Sequence, residues 1–529
     1  MTKTILAFLP VGDTKLLKII TFDVSTTHTM QRTTLTNCKK KLIFIFLCYL
    51  IQNTNFAQTQ KGIDIDGKAV SDLSGGSVSM PDSNTVAIGA SGNDEKAKDA
   101  GHVRIYTWSG SAWVQKGIDI YGEALSDGSG GSVSMSDANT VAIGAGGNNG
   151  RATDAGHVRI YTWSGSAWEK KGADIDGEAG NDASGCSVSM PDAYTVAIGA
   201  FANDGTATDA GHVRVYFSWN DWSGYSQKGA DIDGEAGGDQ SGFSVSMPDA
   251  NTVAIGAFAN DGTAKDAGHV RVYSWSGSAW VQKGADIDGE AGSDNSGYSV
   301  SMPDSNTVAI GAPYNDGTAA DAGHVRIYSW SGSAWVQKGA DIDGEASSDN
   351  SGWSVCMPNA NTVAIGASSN TGTAAYAGHV RIYSWSGSAW VKKGSDIDGE
   401  ASVDQSGWSV CMPDANTVAI GAPANDRMGD FSGHVRVYTL NNNLTIEENV
   451  FGLALNAFPN PTLGELNVEL GSIYQNVTVI IKNNLGQKLF EKPFDKVHLL
   501  NLNIAENAGI YLIEIQTESK SAILKVIKT

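Results

Sequence analysis

A segment reading GHVR followed by Ile or Val and then Tyr occurs seven times in this chain, beginning at Gly101, Gly156, Gly211, Gly268, Gly323, Gly378 and Gly433. The steps are 55, 55, 57, 55, 55 and 55 residues. The segment TVAIGA keeps the same interval, from Thr85 to Thr417. One unit, read from Ser296, runs SGYSVSM, the turn PDSN, TVAIGA, the loop PYNDGTAADA, GHVRIYSW, the turn SGS and AWVQKGADIDG. Each apolar run is short, rich in Val, Ile, Tyr and Trp, and bounded by Asn, Asp, Gly, Ser or Pro, so each predicts a strand. Four antiparallel strands in a unit of this length predict the blade of a β-propeller, because a helical solenoid would show 3.6-residue periodicity instead.

The ends of the repeat region specify how the ring shuts. An orphan fourth strand, Gln60–Gly67, precedes the first unit, and the last unit stops after its third strand at Gly433–Leu440. Pairing these two completes a seventh blade and removes the open sheet edges that an unclosed array would leave. The small residues of the first two strands (Ser299, Ser301, Ala309, Gly311, Ala312) suit crowding near a central axis. The bulkier Trp and Tyr fall in the outer two strands. SGYSV followed by VAIGAP resembles the FG-GAP repeats of integrin-α-like propellers over residues 59–440, with Ser-Gly in place of Phe-Gly. The resemblance implies the fold, and for function only binding or adhesion.

Composition narrows the partners. A net charge of −21 and a pI near 4.7 repel phosphate backbones, so nucleic acid is not an expected partner. Cys186, Cys356 and Cys411 read as small packed residues. The last two occupy equivalent positions of successive units, expected to lie too far apart to bridge. Seven histidines, from His102 to His434, recur one per blade, each expected to bond a loop Asp or backbone. Symmetric copies do not converge on one point as a catalytic set must, and no enzyme activity is expected.

Two sets of residues are candidates for binding. Asp286, Asp288, Glu290 and Asp294 stand at relative positions 1, 3, 5 and 9, a spacing that suits oxygen ligands for calcium but reads first as a solvated acidic rim. Asp174, Asp231, Asp341 and Asp396 open matching runs. Where the repeats differ, the residue after the Ser-Gly pair runs Gly76, Gly131, Cys186, Phe243, Tyr298, Trp353 and Trp408. With Phe201, Phe258 and Tyr314 near the end of the second strand, this predicts an aromatic patch on one side of the ring, either a ligand surface or drift in blade packing. The Trp pairs flanking the SGS turns, such as Trp330 and Trp335, read as structural pairs or as sugar platforms.

Both termini carry an address. Lys39-Lys40-Lys41, the apolar run Leu42–Ile51 and a small residue at Ala57 form a secretory signal, with cleavage near Ala57. The run is too short to span a bilayer, so no transmembrane span is expected in the mature protein. Residues 1–57 are assigned to an unused upstream start plus this signal, 58–440 to the propeller, 441–453 to a linker and 454–529 to a small β-sandwich. The last resembles the type IX (Por) secretion sorting domain: Phe458-Pro459-Asn460-Pro461 with Gly464, Asn484-Leu485-Gly486, Gly509-Ile510-Tyr511-Leu512 and a Lys-rich end. It implies the type IX machinery as partner and delivery to the outer surface or medium. The combined expectation is an all-β, exported binding or adhesion protein with an extracellular protein or glycan ligand, or alternatively one that binds or degrades polysaccharide.

Overall fold

The computed structural model describes residues 3–8, 17–22, 57–219, 224–441, 455–483, 487–517 and 521–529. The signal segment before Ala57, most of the 441–453 linker and Asn484-Leu485-Gly486 lie outside the described residues. Lys3–Phe8 and Leu17–Phe22 pair as an antiparallel hairpin.

Seven sheets of the repeat region share one order, first strand to fourth, as in Ser299–Asp304, Thr307–Ala312, His324–Trp330 and Trp335–Gln337. The second strand is buried along its whole length in every blade, consistent with its Val, Ile and Ala content. The seventh blade is completed as the sequence predicts and slightly earlier in the chain: Ala57–Gln60 pairs with Asn441–Tyr438, and Ile65–Asp66 with Val435–His434.

The fourth strand is not continuous, except in the second blade, where it runs unbroken over Trp168–Asp176. Elsewhere it splits, as at Trp335–Gln337 and Ile342–Asp343, both paired to the third strand. A glycine between the pieces explains the break. Gly284 has φ +84°, and a Cβ there would lie 2.7 Å from Cζ3 of Trp330 in the next blade. The indole of Trp335 donates to the Lys283 carbonyl at 2.7 Å, and Lys283 Nζ sits 5.2 and 5.3 Å from the two Trp rings. The Trp pairs are therefore clasps between blades.

The innermost strands interlock through small groups. Ser299 Oγ donates to the carbonyl of Gly352 in the following blade at 2.8 Å, and Ser301 Oγ accepts from the Met357 amide at 2.9 Å. Cys356 and Cys411 replace that second serine, their sulfurs accepting from the Met412 and Met80 amides at 3.0 and 3.2 Å. Cys356 and Cys411 are both free thiols, packed as small residues between blades.

The C-terminal β-rich domain is built from Asn456–Phe458, Glu465–Asn483, Lys488–Asn503, Gly509–Gln516 and Ser521–Lys528. Leu466, Val468, Val479, Leu500, Ile513 and Val526 share its core. Asn460 ties the opening turn to the last strand, accepting from the Ile527 amide and donating to the Lys525 carbonyl, both at 2.9 Å. Pro459 and Pro461 flank it. Gly464 has φ +138°, and the Tyr511 hydroxyl donates to the Asn507 carbonyl just ahead of Gly509.

Candidate functional site

The register of the first two strands places the irregular aromatics together. Ser299 pairs with Gly311, so the residue entering the first strand and the residue leaving the second lie at the same end of a blade. The Ser-Gly pair before the first strand aims that entering side chain. Gly297 has φ +89°, and a Cβ on it would lie 2.5 Å from the His269 carbonyl, so only glycine fits. Across the junction, Asn295 Nδ2 donates to the Phe258 carbonyl at 3.0 Å and fixes the backbone of the second-strand exit.

The result is a continuous chain of rings spanning several blades. Phe243 meets Tyr298 at 4.9 Å between centroids, Tyr298 meets Trp353 at 4.7 Å, and Trp353 meets Trp408 at 4.6 Å, each pair tilted by 46–49°. Phe201 and Phe258 pack edge-on against Phe243 at 5.7 and 4.6 Å, and Tyr314 meets Tyr298 at 6.4 Å. All seven rings are half-buried. Burial pushes the Tyr298 and Tyr314 hydroxyls up from their ordinary pKa, so both remain protonated donors at neutral pH. Gly76, Gly131 and Cys186 hold the equivalent positions on the other side of the ring. The arc therefore presents apolar, uncharged surface with two hydroxyls, a combination suited to stacking against uncharged ligand faces.

The acidic links are arranged differently from a calcium loop. Asp294 is buried and accepts from the Ala291 amide at 3.0 Å and Asn315 Nδ2 at 2.9 Å, acting as a turn cap. Glu290 reaches into the next blade to pair with Arg326 at 3.3 Å. Asp286 accepts from Gln282 Nε2 at 2.6 Å and faces His269, while Asp288 is exposed at the end of the fourth strand. The four carboxylates thus serve separate neighbours. What they do form, with residues of adjoining elements, is a set of Glu–His–Asp clusters such as Glu235–His269–Asp286.

The repeated histidines are buried, yet in six of them, all but His434, Nδ1 stands 3.6–4.0 Å from the nearest carboxylate, beyond hydrogen-bonding range. Sequence reading missed these clusters because each draws on a link, a third strand and a fourth strand that only the blade fold juxtaposes.

No curated protein matches the chain. Residues 456–529 match the family of secretion system C-terminal sorting domains. Among solved structures, the chain is similar to the WD40 β-propeller domain of Doa1, at 13% identity and TM-score 0.40, covering 73% of this chain and 97% of that one. It is also similar to an ancestral GH74 enzyme, at 11% identity and TM-score 0.42, covering 73% and 52%. A third is the GH74 xyloglucanase from Xanthomonas campestris, at 10% identity and TM-score 0.40, covering 89% and 68%. The chain is a β-propeller of repeated four-stranded blades that carries a secretion sorting domain at its C-terminal end.

Proposed function

We propose that this is an exported binding or adhesion protein, delivered by the type IX secretion machinery, whose ligand surface is the aromatic arc from Phe243 to Trp408. The arc carries the reading. It breaks the near-identity of the blades on one side of the ring, and its rings touch in sequence at 4.6–4.9 Å. Such a ledge suits an extended, uncharged extracellular ligand, a neutral glycan or an apolar protein segment, while the net charge of −21 disfavours anionic ones. We read it as a binding surface and not a catalytic one because its non-repeated residues are aromatic and bring no carboxylate, imidazole or thiol to pair with the two tyrosine hydroxyls.

A glycan array probed with the purified mature chain tests this. Binding to neutral oligosaccharides that is lost in the Trp353→Ala, Trp408→Ala double variant supports the reading. Binding unchanged by that variant removes the arc from it.

A further inference from the structure

Glu235, His269 and Asp286 converge from the link entering the fourth blade, the start of its third strand and the break in its fourth strand. One ligand atom from each lies within 4.8 Å of the others. His269 Nδ1 is 4.0 Å from Glu235 Oε2 and 4.0 Å from Asp286 Oδ2. These gaps are too long for hydrogen bonds and about half an ångström wider than the roughly 3.4 Å between tetrahedral donors on bonds of about 2.0–2.2 Å, so a small inward shift of the two carboxylates would close them on one divalent ion. The imidazole is 1% exposed, its Nε2 has no hydrogen-bond partner, and its Nδ1 points into the cluster. Glu178–His212–Asp231 repeats the arrangement in the third blade. In the fifth, His324 Nδ1 stands 3.9 Å from Asp341 and Glu290 again enters from the link.

The other blades show what such a cluster attracts. In the first, Lys68 Nζ lies 2.5 Å from Asp119 and 3.5 Å from Glu95, beside His102. In the second, Lys170 pairs with Asp174. In the sixth, Lys392 Nζ is 2.5 Å from Asp396 and 3.9 Å from Glu345. In the seventh, Arg427 pairs with Asp64 and Asp66 next to His434. Four blades thus place a side-chain cation on the cluster's Asp, whereas in the third to fifth the only cation on the cluster among the described residues is the Arg that pairs with its Glu. In the third, fourth and fifth, the position of Lys170 and Lys392 is taken by Gln227, Gln282 and Gln337, whose neutral amides bond only the outer oxygen of each Asp. Arg271, 3.5 Å from Glu235 Oε1, has an equivalent in the second to seventh blades and leaves Oε2 facing the histidine.

We propose that the third, fourth and fifth blades each bind a divalent transition-metal ion, of the zinc or manganese type, through one imidazole Nδ1 and two carboxylates. The mixed nitrogen and oxygen donor set suits these ions better than calcium, which takes oxygen ligands. The same three blades carry Phe201, Phe258 and Tyr314, so the ions would brace the sector that holds the second row of the arc.

The test uses the purified full chain, stripped with EDTA and titrated calorimetrically with Zn²⁺ alone. About three equivalents are expected, falling to about two in Gln282→Lys, which copies the lysine of the second and sixth blades and so preserves the fold. Co²⁺ should give visible d–d absorption that drops by about a third in the same variant. Absence of Zn²⁺ uptake, a stoichiometry unchanged by Gln282→Lys, or uptake of Ca²⁺ with none of Zn²⁺ would each overturn the proposal. Glycan binding by the arc is read separately, so either idea can fail alone.

Discussion

Ser409 Oγ donates to the Gly75 carbonyl oxygen at 2.8 Å, joining residues 334 positions apart. The same bond links the other six neighbouring blades, at 2.7–2.8 Å, from Ser77–Gly130 to Ser354–Gly407. Beside it, a Cβ on Gly421 would sit 2.0 Å from the Gly75 oxygen, as one on Gly256 would from Gly297. The junction that closes the ring is therefore built like the junctions within it. Gly421→Ala and Gly256→Ala should destabilise the propeller alike, by about 1–3 kcal/mol or more, because a rigid backbone carbonyl must move. Urea denaturation of both checks this. A clear loss for Gly256→Ala with none for Gly421→Ala would mean the ring is open.

The Trp clasps make a second prediction. Trp335→Phe keeps most of the ring contact and loses the indole bond to the Lys283 carbonyl, at a cost of about 1 kcal/mol. Trp335→Ala also forfeits the packing over Gly284 and should cost distinctly more. Equal midpoints for the two variants in a denaturant series would count against a clasp role.

Acid should loosen the ring. His102, His269, His324, His379 and His434 are each held down to about 4, chiefly by burial, against 6.5 when unfolded. Their folded pKa is depressed, so the unfolded chain binds more protons between these values. The stability they contribute is complete above about pH 6.5 and is lost progressively down to about pH 4. The melting temperature should fall steeply across that window, and His269→Gln should flatten the slope. A melting temperature constant from pH 7 to pH 4.5 would contradict the assignment.

Much of this molecule is legible in its sequence because repetition turns weak strand signals into strong ones. The blade count and the closing strand follow from where GHVR[IV]Y and the orphan Gln60–Gly67 segment stand. The aromatic arc is legible as a list of positions, but its continuity depends on the spacing of adjacent blades, which no single repeat encodes. The break in the fourth strand comes from Gly284 and its equivalents yielding to a Trp of the neighbouring blade, a tertiary effect that overrides strand propensity. The Glu–His–Asp clusters are hidden for the same reason: their members come from separate elements, and the decisive cations occupy three different repeat positions, that of Lys68, that shared by Lys170 and Lys392, and that of Arg427.

The sorting domain should be separable from the ring. Truncation after Asn441 should leave the protein folded but retained inside the cell envelope. Asn460→Ala, which removes both bonds to the last strand, should reduce export in part. Fractionation and surface labelling of the producing cells read this out, and full export of the truncated chain would refute it.

The central claim is that the arc is the ligand surface, and its most direct test is affinity. For a neutral oligosaccharide selected on the array, calorimetric Kd should rise at least tenfold for each of Trp353→Ala and Trp408→Ala, with unchanged melting temperature. Replacing Gly131, on the opposite side of the ring, by Ser should leave it unchanged. Equal affinity for wild type and both Trp variants would contradict the account.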